Sequence, residues 1–421
     1  MMRKNPIGLF EATGIELEYM IVDRFTLNIR PICDQLLKDP SGLTVSELAR
    51  GATRWSNELA MHLVETKTNG PTASLESYRR HFGNDVTALN QLLAEYHAML
   101  LPTGMHPWMN PREESVLWPH EQGEIYQRFD KIFSCNGHGW TNLQSMHINL
   151  PFADAREFEQ LHRAIRFLLP LMPALSASSP FVEGEQNGIA CNRLRFYESN
   201  CRRVPLITAR VVPEDVATPE DYREDVLLPM YRQLGKLDPE GILKHEWLNA
   251  RGAIARFDRG AIEIRVLDTQ ECPAADLLIA GLIRETLINL VNGVWSDLDR
   301  TATWPTEELA DLYDAVVVKA EHAVIRNQNF LDFFHYPDSR ATVTELWLHL
   351  LETGTYSEPK AYEQLVTRGS LSSRIRSRYK VRKPAREALA ETYRELADCL
   401  AENRFFVGAP VRESLLVGAG G

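Results

Sequence analysis

The feature that most constrains this chain is the run TGIELEYMIVD, residues 13–23, in which Glu16 and Glu18 lie two residues apart in an otherwise apolar stretch. The run reads as a β-strand, and successive strand side chains point to opposite faces. Glu16 and Glu18 then share one face, while Ile15, Leu17 and Tyr19 share the other. An antiparallel sheet can pack its apolar face on a core. The paired acids must then face water, a cationic partner or a metal ion, because like charges in a low dielectric repel and are costly to desolvate.

The alternation recurs along the chain. NELAMHLVETKT (57–68) reads as a strand carrying Glu58 and Glu65, and NLQSMHINLPF (142–152) as one that groups His147 with Ser145 and Asn149. ARGAIARFDRGAIEIRVLD (250–268) reads as a β-hairpin turning around Asp258–Gly260. It sets Glu263 and Arg265 against Ile262, Ile264 and Val266. Glu58 is seven residues from Glu65, hence on the opposite face of a continuous strand unless a bulge intervenes. Singly, these residues have ordinary explanations. A strand glutamate is usually exposed, His147 reads as a satisfied core histidine, and Glu263–Arg265 as an ion pair across the sheet. Repeated on strand after strand, they make, if their strands converge, a cluster whose charge must be neutralised. Mg²⁺ or Mn²⁺ fits an oxygen-rich set, Mn²⁺ tolerating the imidazole. Zinc is disfavoured, and no HExxH is present. Arg256, Arg259 and Arg265 lie nearby, and planar guanidinium forks suit anionic oxygens.

Around these strands, 13–30 reads as a hairpin-like pair turning near Asp23–Asn28, 43–50 as a short helix and 74–100 as a longer one. Residues 155–177 read as a helix and 274–298 as a long amphipathic helix. The rest to about 403 reads as mostly helical, with breaks near Pro305, Gly354 and Pro384. This order is not the regular alternation of a doubly wound sheet. It predicts an α+β fold with a largely antiparallel sheet, a core over 1–300 and a helical segment over 301–421 packed on it.

With 421 residues, 44% of them hydrophobic, the chain can bury a sizeable core. A net charge of −11 argues against a general nucleic-acid binder. Cys33, Cys135, Cys191, Cys201, Cys272 and Cys399 are scattered without CxxC spacing and read as reduced thiols. With no signal-like or membrane-spanning apolar run, the expectation is a cytoplasmic protein without a membrane partner. P-loop, dinucleotide and serine-hydrolase motifs are missing. GMHPWMNP (104–111) reads as a Pro-locked loop packing Trp108, with His106 and Trp108 near a ligand as the alternative. The basic run 372–386 reads as a solvated helix face.

The segments GIELEYMIVD, NELAMHLVETKT, GMHPW, MHINLPF, ALSASSPFVEGEQNG and RFDRGAIEIRVLD occur in this order over about residues 13–290. In that order they resemble the second type of glutamate–cysteine ligase family, the carboxylate–amine ligases. The resemblance implies a glutamine synthetase-like core, a curved antiparallel sheet forming a funnel with helices outside. It implies an ATP-dependent ligase that forms a γ-glutamyl amide through an acyl phosphate, from glutamate and cysteine or another amine. It also implies Mg²⁺ or Mn²⁺ held by Glu16, Glu18, Glu65, His147 and Glu263, with Arg265 and Arg193 as catalytic anion-binding groups and Arg256 and Arg259 on the nucleotide. Homo-oligomerisation stays open. The sequence departs from the family pattern at Ser145, which stands where the family has a first histidine, at Asn149 in place of glycine, and at Cys191 in place of serine. These departures gather at the expected substrate pocket. Two other readings remain, a guanidino kinase-like phosphotransferase of related sheet architecture and a non-catalytic metabolite-binding protein of the same fold.

Overall fold

The computed structural model describes residues 6–379 and 385–408. Its main sheet has eight strands: β1 (Gly14–Asp23), β2 (Glu47–Arg50), β3 (Thr53–Asn57), β4 (Leu63–Thr68), β5 (Ala98–Leu101), β6 (Ser145–Pro151), β7 (Ala253–Arg256) and β8 (Ala261–Asp268). The order is β2-β3-β4-β1-β6-β8-β7, and every pairing is antiparallel. β1 is central: β4 lies along one edge, while β6 and then β5 share the other. The fold is α+β, as the strand-and-helix order predicts.

The period-2 pattern decides how the sheet packs. Ile15, Leu17, Tyr19 and Ile21 of β1, Met146, Ile148 and Leu150 of β6, and Ile262, Ile264 and Val266 of β8 join one buried cluster. The helix Leu75–Ala94 adds Phe82, Val86, Leu89 and Leu93, one stripe at helical spacing. Each such side chain contributes roughly 1.5–3 kcal/mol by leaving water. A one-residue slip of any strand would drive its charged set into this core, so the register is strongly specified. On the opposite face, the far half of β1 is apolar too. Met20 and Val22 pack with Leu63, Leu101, and Leu389, Tyr393 and Leu396 of the helix Ala385–Ala401.

Several expected elements change where tertiary pairing overrides local pattern. The helix expected over 43–50 is instead the edge strand β2, paired residue for residue with β3. The strand expected over 57–68 is two strands, β3 and β4, with residues 58–62 as the connection. The helix expected over 74–100 stops at Ala94. The chain then reverses through His97, at φ 53°, so that β5 can pair with β1, and the Asn90 side chain accepts from the Leu100 amide at 2.8 Å.

The helix expected over 274–298 spans Pro273–Val291, beginning on a proline at its first turn and ending before Gly293 in a left-handed conformation. Of its 19 residues, 13 are buried, so it is a central strut and not a surface amphipath. Helices Leu75–Ala94, Ala155–Leu168 and Pro359–Arg368 all pack on it. Helix Thr306–Lys319 starts after Pro305, and Val343–Thr353 ends before Gly354. The break near Pro384 falls outside the described residues. In the described part of the basic run, Arg374 is buried, with two bonds to Glu271 and one at 2.8 Å to the Phe406 carbonyl, so it is a packing residue, while Arg378 and Arg386 are exposed as on a solvated face. No helix among the described residues is long and apolar enough to cross a membrane.

Candidate functional site

The near half of β1 organises the charged face. Glu16 is paired in register with His147 on β6 and with Lys67 on β4, and Glu18 with Glu65. One strand further, Asn149 on β6 stands opposite Glu263 on β8. The alternation gives each side chain its face, and the sheet order brings the faces together. Ligand atoms of Glu16, His147 and Glu263 lie within 4.8 Å of one another, as do those of Glu18, Glu65 and His147. His147 belongs to both trios. A bulge in the β6–β8 ladder falls beside it, between Met146 and Ile148.

A hydrogen-bond web holds the cluster. His147 Nδ1 is 3.0 Å from Glu16 Oε2, and its Nε2 is 2.9 Å from Ser145 Oγ. The Ser145 amide and hydroxyl both donate to Glu18 Oε2, at 2.7 and 3.1 Å. Asn149 Nδ2 donates to Glu16 Oε1 at 3.1 Å. Lys67 Nζ donates to Glu65 Oε2 at 2.8 Å, and the Ser56 hydroxyl donates to the same oxygen. Arg265 Nη2 and Nε donate to Glu263 Oε1 at 2.6 and 3.0 Å, and Arg256 Nη1 to Oε2 at 3.3 Å. Arg259 is half-exposed at the hairpin turn, 3.8 Å from Glu16 Oε1.

Burial of so many acids splits their proton affinities. Burial pushes the Glu16 carboxyl up, but the His147 bond and the charges of His147, Lys67 and Arg259 bring it well below the usual carboxylate range. Glu263 is likewise lowered, burial being outweighed by Arg265, His147 and Arg256. Glu65 is raised by burial despite Lys67. Glu58 is raised strongly, by burial and the charges of Glu18 and Glu65. Burial disfavours a proton on His147, yet the Glu16 bond and the surrounding carboxylates hold its pKa above the ordinary value. With Nδ1 on Glu16 and Nε2 on Ser145, a doubly protonated ring satisfies both contacts, and a metal taking this imidazole would release a proton.

The connection between β3 and β4 settles where Glu58 goes. It sits in a turn, not on a continuous strand, and so comes close enough to Glu18 and Glu65 to feel their charge. Arg193, in the short helix Asn192–Tyr197, is buried and turned onto Asp268, with Nε donating to Oδ1 at 2.6 Å. Its Nη2 donates to the Arg265 carbonyl at 3.1 Å, so it braces the backbone of β8. Cys191 and Ser179 also bond Asp268. His106 is buried on the Leu27 carbonyl, and Trp108 donates to Asn28. Sequence reasoning missed Lys67, although it lies two residues after Glu65 and period 2 alone places both on one face. It also missed Arg54, opposite Lys67 on β3, which only the strand register reveals.

Beside the cluster opens a cleft of about 970 Å³. Glu16, Lys67, Asn149 and Arg259 line it, together with Phe152, Phe257, Leu227 and Tyr231.

The model of glutamate–cysteine ligase family 2 matches residues 12–317 of the chain. An uncharacterized protein of Archaeoglobus fulgidus is 36% identical over 274 residues, covering 65% of this chain and 73% of that protein. A protein of Gloeobacter violaceus named "Putative glutamate--cysteine ligase 2" is 25% identical over 281 residues, covering 64% of this chain and 66% of its own length. Among solved structures, a glutamate–cysteine ligase of Francisella tularensis in complex with AMP superposes with a TM-score of 0.57 at 13% identity, over 94% of this chain and 90% of that one. A bifunctional glutathione synthetase of Pasteurella multocida gives 0.61 at 13% identity, over 94% of this chain and 54% of that one. The two structural likenesses show a shared fold.

Proposed function

We propose that this chain, which belongs to glutamate–cysteine ligase family 2, is an ATP-dependent ligase that activates the γ-carboxylate of glutamate as an acyl phosphate and joins it to an amine. The observation that carries this reading is the meeting of Glu16, Glu18, Glu65, Glu263 and His147, from β1, β4, β6 and β8, on one sheet face. Adjacent acids with an imidazole at their junction suit hard divalent cations. Glu16, His147 and Glu263 would hold one Mg²⁺ or Mn²⁺, and Glu18 and Glu65 a second, with Glu58 beside them. Such ions neutralise phosphate charge during phosphoryl transfer. The cleft has the volume a nucleotide needs, and its lining supplies both apolar side chains for a base and cationic ones for phosphates.

The chain's own residues then hold two anions together. Arg259 reaches the cleft and meets nucleotide phosphates. Arg256 and Arg265 stay fixed by Glu263, and Arg265 keeps part of its side chain exposed to face oxygens of the transferring phosphoryl group. Arg193 acts through its grip on Asp268 and the Arg265 carbonyl as a positioning residue. Positioning supplies most of the rate, since the phosphoryl transfer asks little acid–base work of the protein.

The test is release of ADP with glutamate and a panel of amines, cysteine first. A functional ligase releases phosphate in step with ADP and yields a γ-glutamyl amide. Nucleotide binding without turnover on every amine would overturn the reading, as would ADP formation accompanied by a stable N-phosphate.

A further inference from the structure

Lys67 competes for an oxygen that a metal ion would need. Its Nζ is 2.8 Å from Glu65 Oε2, and Glu65 belongs to the Glu18–Glu65–His147 trio. The ammonium also lies 3.1 Å from Glu47 Oε2 on the edge strand β2, and Glu47 in turn bonds Arg54. Lys67 thus stands between the metal trio and the cleft, whose wall it forms together with Glu16, Glu47 and Arg54. Its side chain keeps 23% of its surface accessible, so its head is not sealed into the cluster. A lysine carries a point charge on a flexible four-carbon stem and can exchange one anion for another by rotation about its own bonds. A divalent ion on Glu65 would repel an ammonium bonded to the same carboxylate, whereas a polyphosphate in the cleft would attract it.

We propose that Lys67 is a placeholder cation, holding Glu65 until a divalent ion binds and then passing to the nucleotide phosphates. The inference rests on the metal and nucleotide reading above and adds to it a residue whose partner changes during loading. It has a consequence that neither a structural ion pair nor a plain phosphate ligand shares. Removing the charge strengthens metal binding and weakens nucleotide binding.

The experiment measures Mn²⁺ affinity by titration calorimetry and electron paramagnetic resonance without nucleotide, then affinity for a non-hydrolysable ATP analogue at saturating Mn²⁺. Wild type is compared with Lys67→Met, Lys67→Gln and Lys67→Arg. Lys67→Met and Lys67→Gln should bind Mn²⁺ about tenfold more tightly and the analogue about tenfold more weakly. Lys67→Arg, which keeps the charge, should stay near wild type in both. Should Lys67→Met fail to fold, Lys67→Gln retains a hydrogen bond to Glu65 and decides alone. Affinities that move in the same direction, or a Mn²⁺ affinity indifferent to the charge, would overturn the proposal while leaving the ligase reading intact. Wild-type protein that binds neither Mn²⁺ nor the analogue would sink both.

Discussion

One face of β1 carries two environments. Its near half presents Glu16 and Glu18 to His147, Ser145, Asn149 and the carboxylate of Glu65, while its far half presents Met20 and Val22 to Leu63, Leu101 and the helix Ala385–Ala401. The strand is continuous, and only the covering differs. Burial of apolar surface stabilises the far half, whereas charges stripped of water in the near half are held by opposing cations. A cluster of this kind is weak evidence for stability and marks a candidate binding site. The histidines follow the same division. His147 holds its proton more firmly than usual among carboxylates. His62 and His106, bonded to the Thr141 and Leu27 carbonyls, are depressed to about 4 and about 3 by burial.

The sharpest way to separate the halves is to remove one charge from the near half. Glu16→Gln should lower ADP release by roughly a thousandfold or more. It should also lower the thermal midpoint, because His147 and Asn149 lose the carboxylate they bond, but the protein should stay folded at the assay temperature, so that the loss of activity far exceeds any loss of folded protein. A large fall in midpoint with activity retained would reverse the assignment of the two halves. The opposite change is Leu396→Ala under the far half. It should cost about 2–5 kcal/mol of unfolding free energy in denaturant titration while leaving Mn²⁺ affinity unchanged.

Acid should attack the far half next. A depressed histidine contributes stability that is fully present above its unfolded pKa and is lost as pH falls toward the folded value. For His62 and His106 the loss therefore begins near pH 6.5 and reaches roughly 2 kcal/mol each by pH 5. His147, raised in the folded protein, has the opposite sign, and its contribution is lost only as pH rises. Substituting His106→Gln, which keeps a donor for the Leu27 carbonyl, should reduce proton uptake on unfolding near pH 5 by about one proton. An unchanged uptake would place the acid sensitivity elsewhere. The smallest effect belongs to Arg259→Ala at the rim. Stability should change by less than about 0.5 kcal/mol, since the arginine is half-exposed and 3.8 Å from Glu16. Affinity for ATP should fall severalfold, measured by calorimetry.

Much of this site was legible because strand geometry is local. Period 2 assigns Glu16, Glu18, Glu65, His147, Glu263 and Arg265 to one side of their strands, and that side is where each lies. The same rule applied to 57–68 misled at Glu58, because it presumes a continuous strand where the chain turns. Residues 43–50 misled for another reason. Glu, Leu, Ala and Arg favour a helix in isolation, and pairing with β3 is worth more than that weak local preference. Arg193 was recognisable as a functional-loop residue, but its direction was not, since Asp268 lies 75 residues away.

The sequence alone determined the alternation, and with it which side chains could share a face, because that follows from the backbone geometry of a single strand. Tertiary structure decided which strands became neighbours, that Glu65 meets Glu18, and that Met20 and Val22 are capped by a distant helix. Those outcomes depend on long-range pairing and burial, whose free energy belongs to the assembled sheet and to none of its segments.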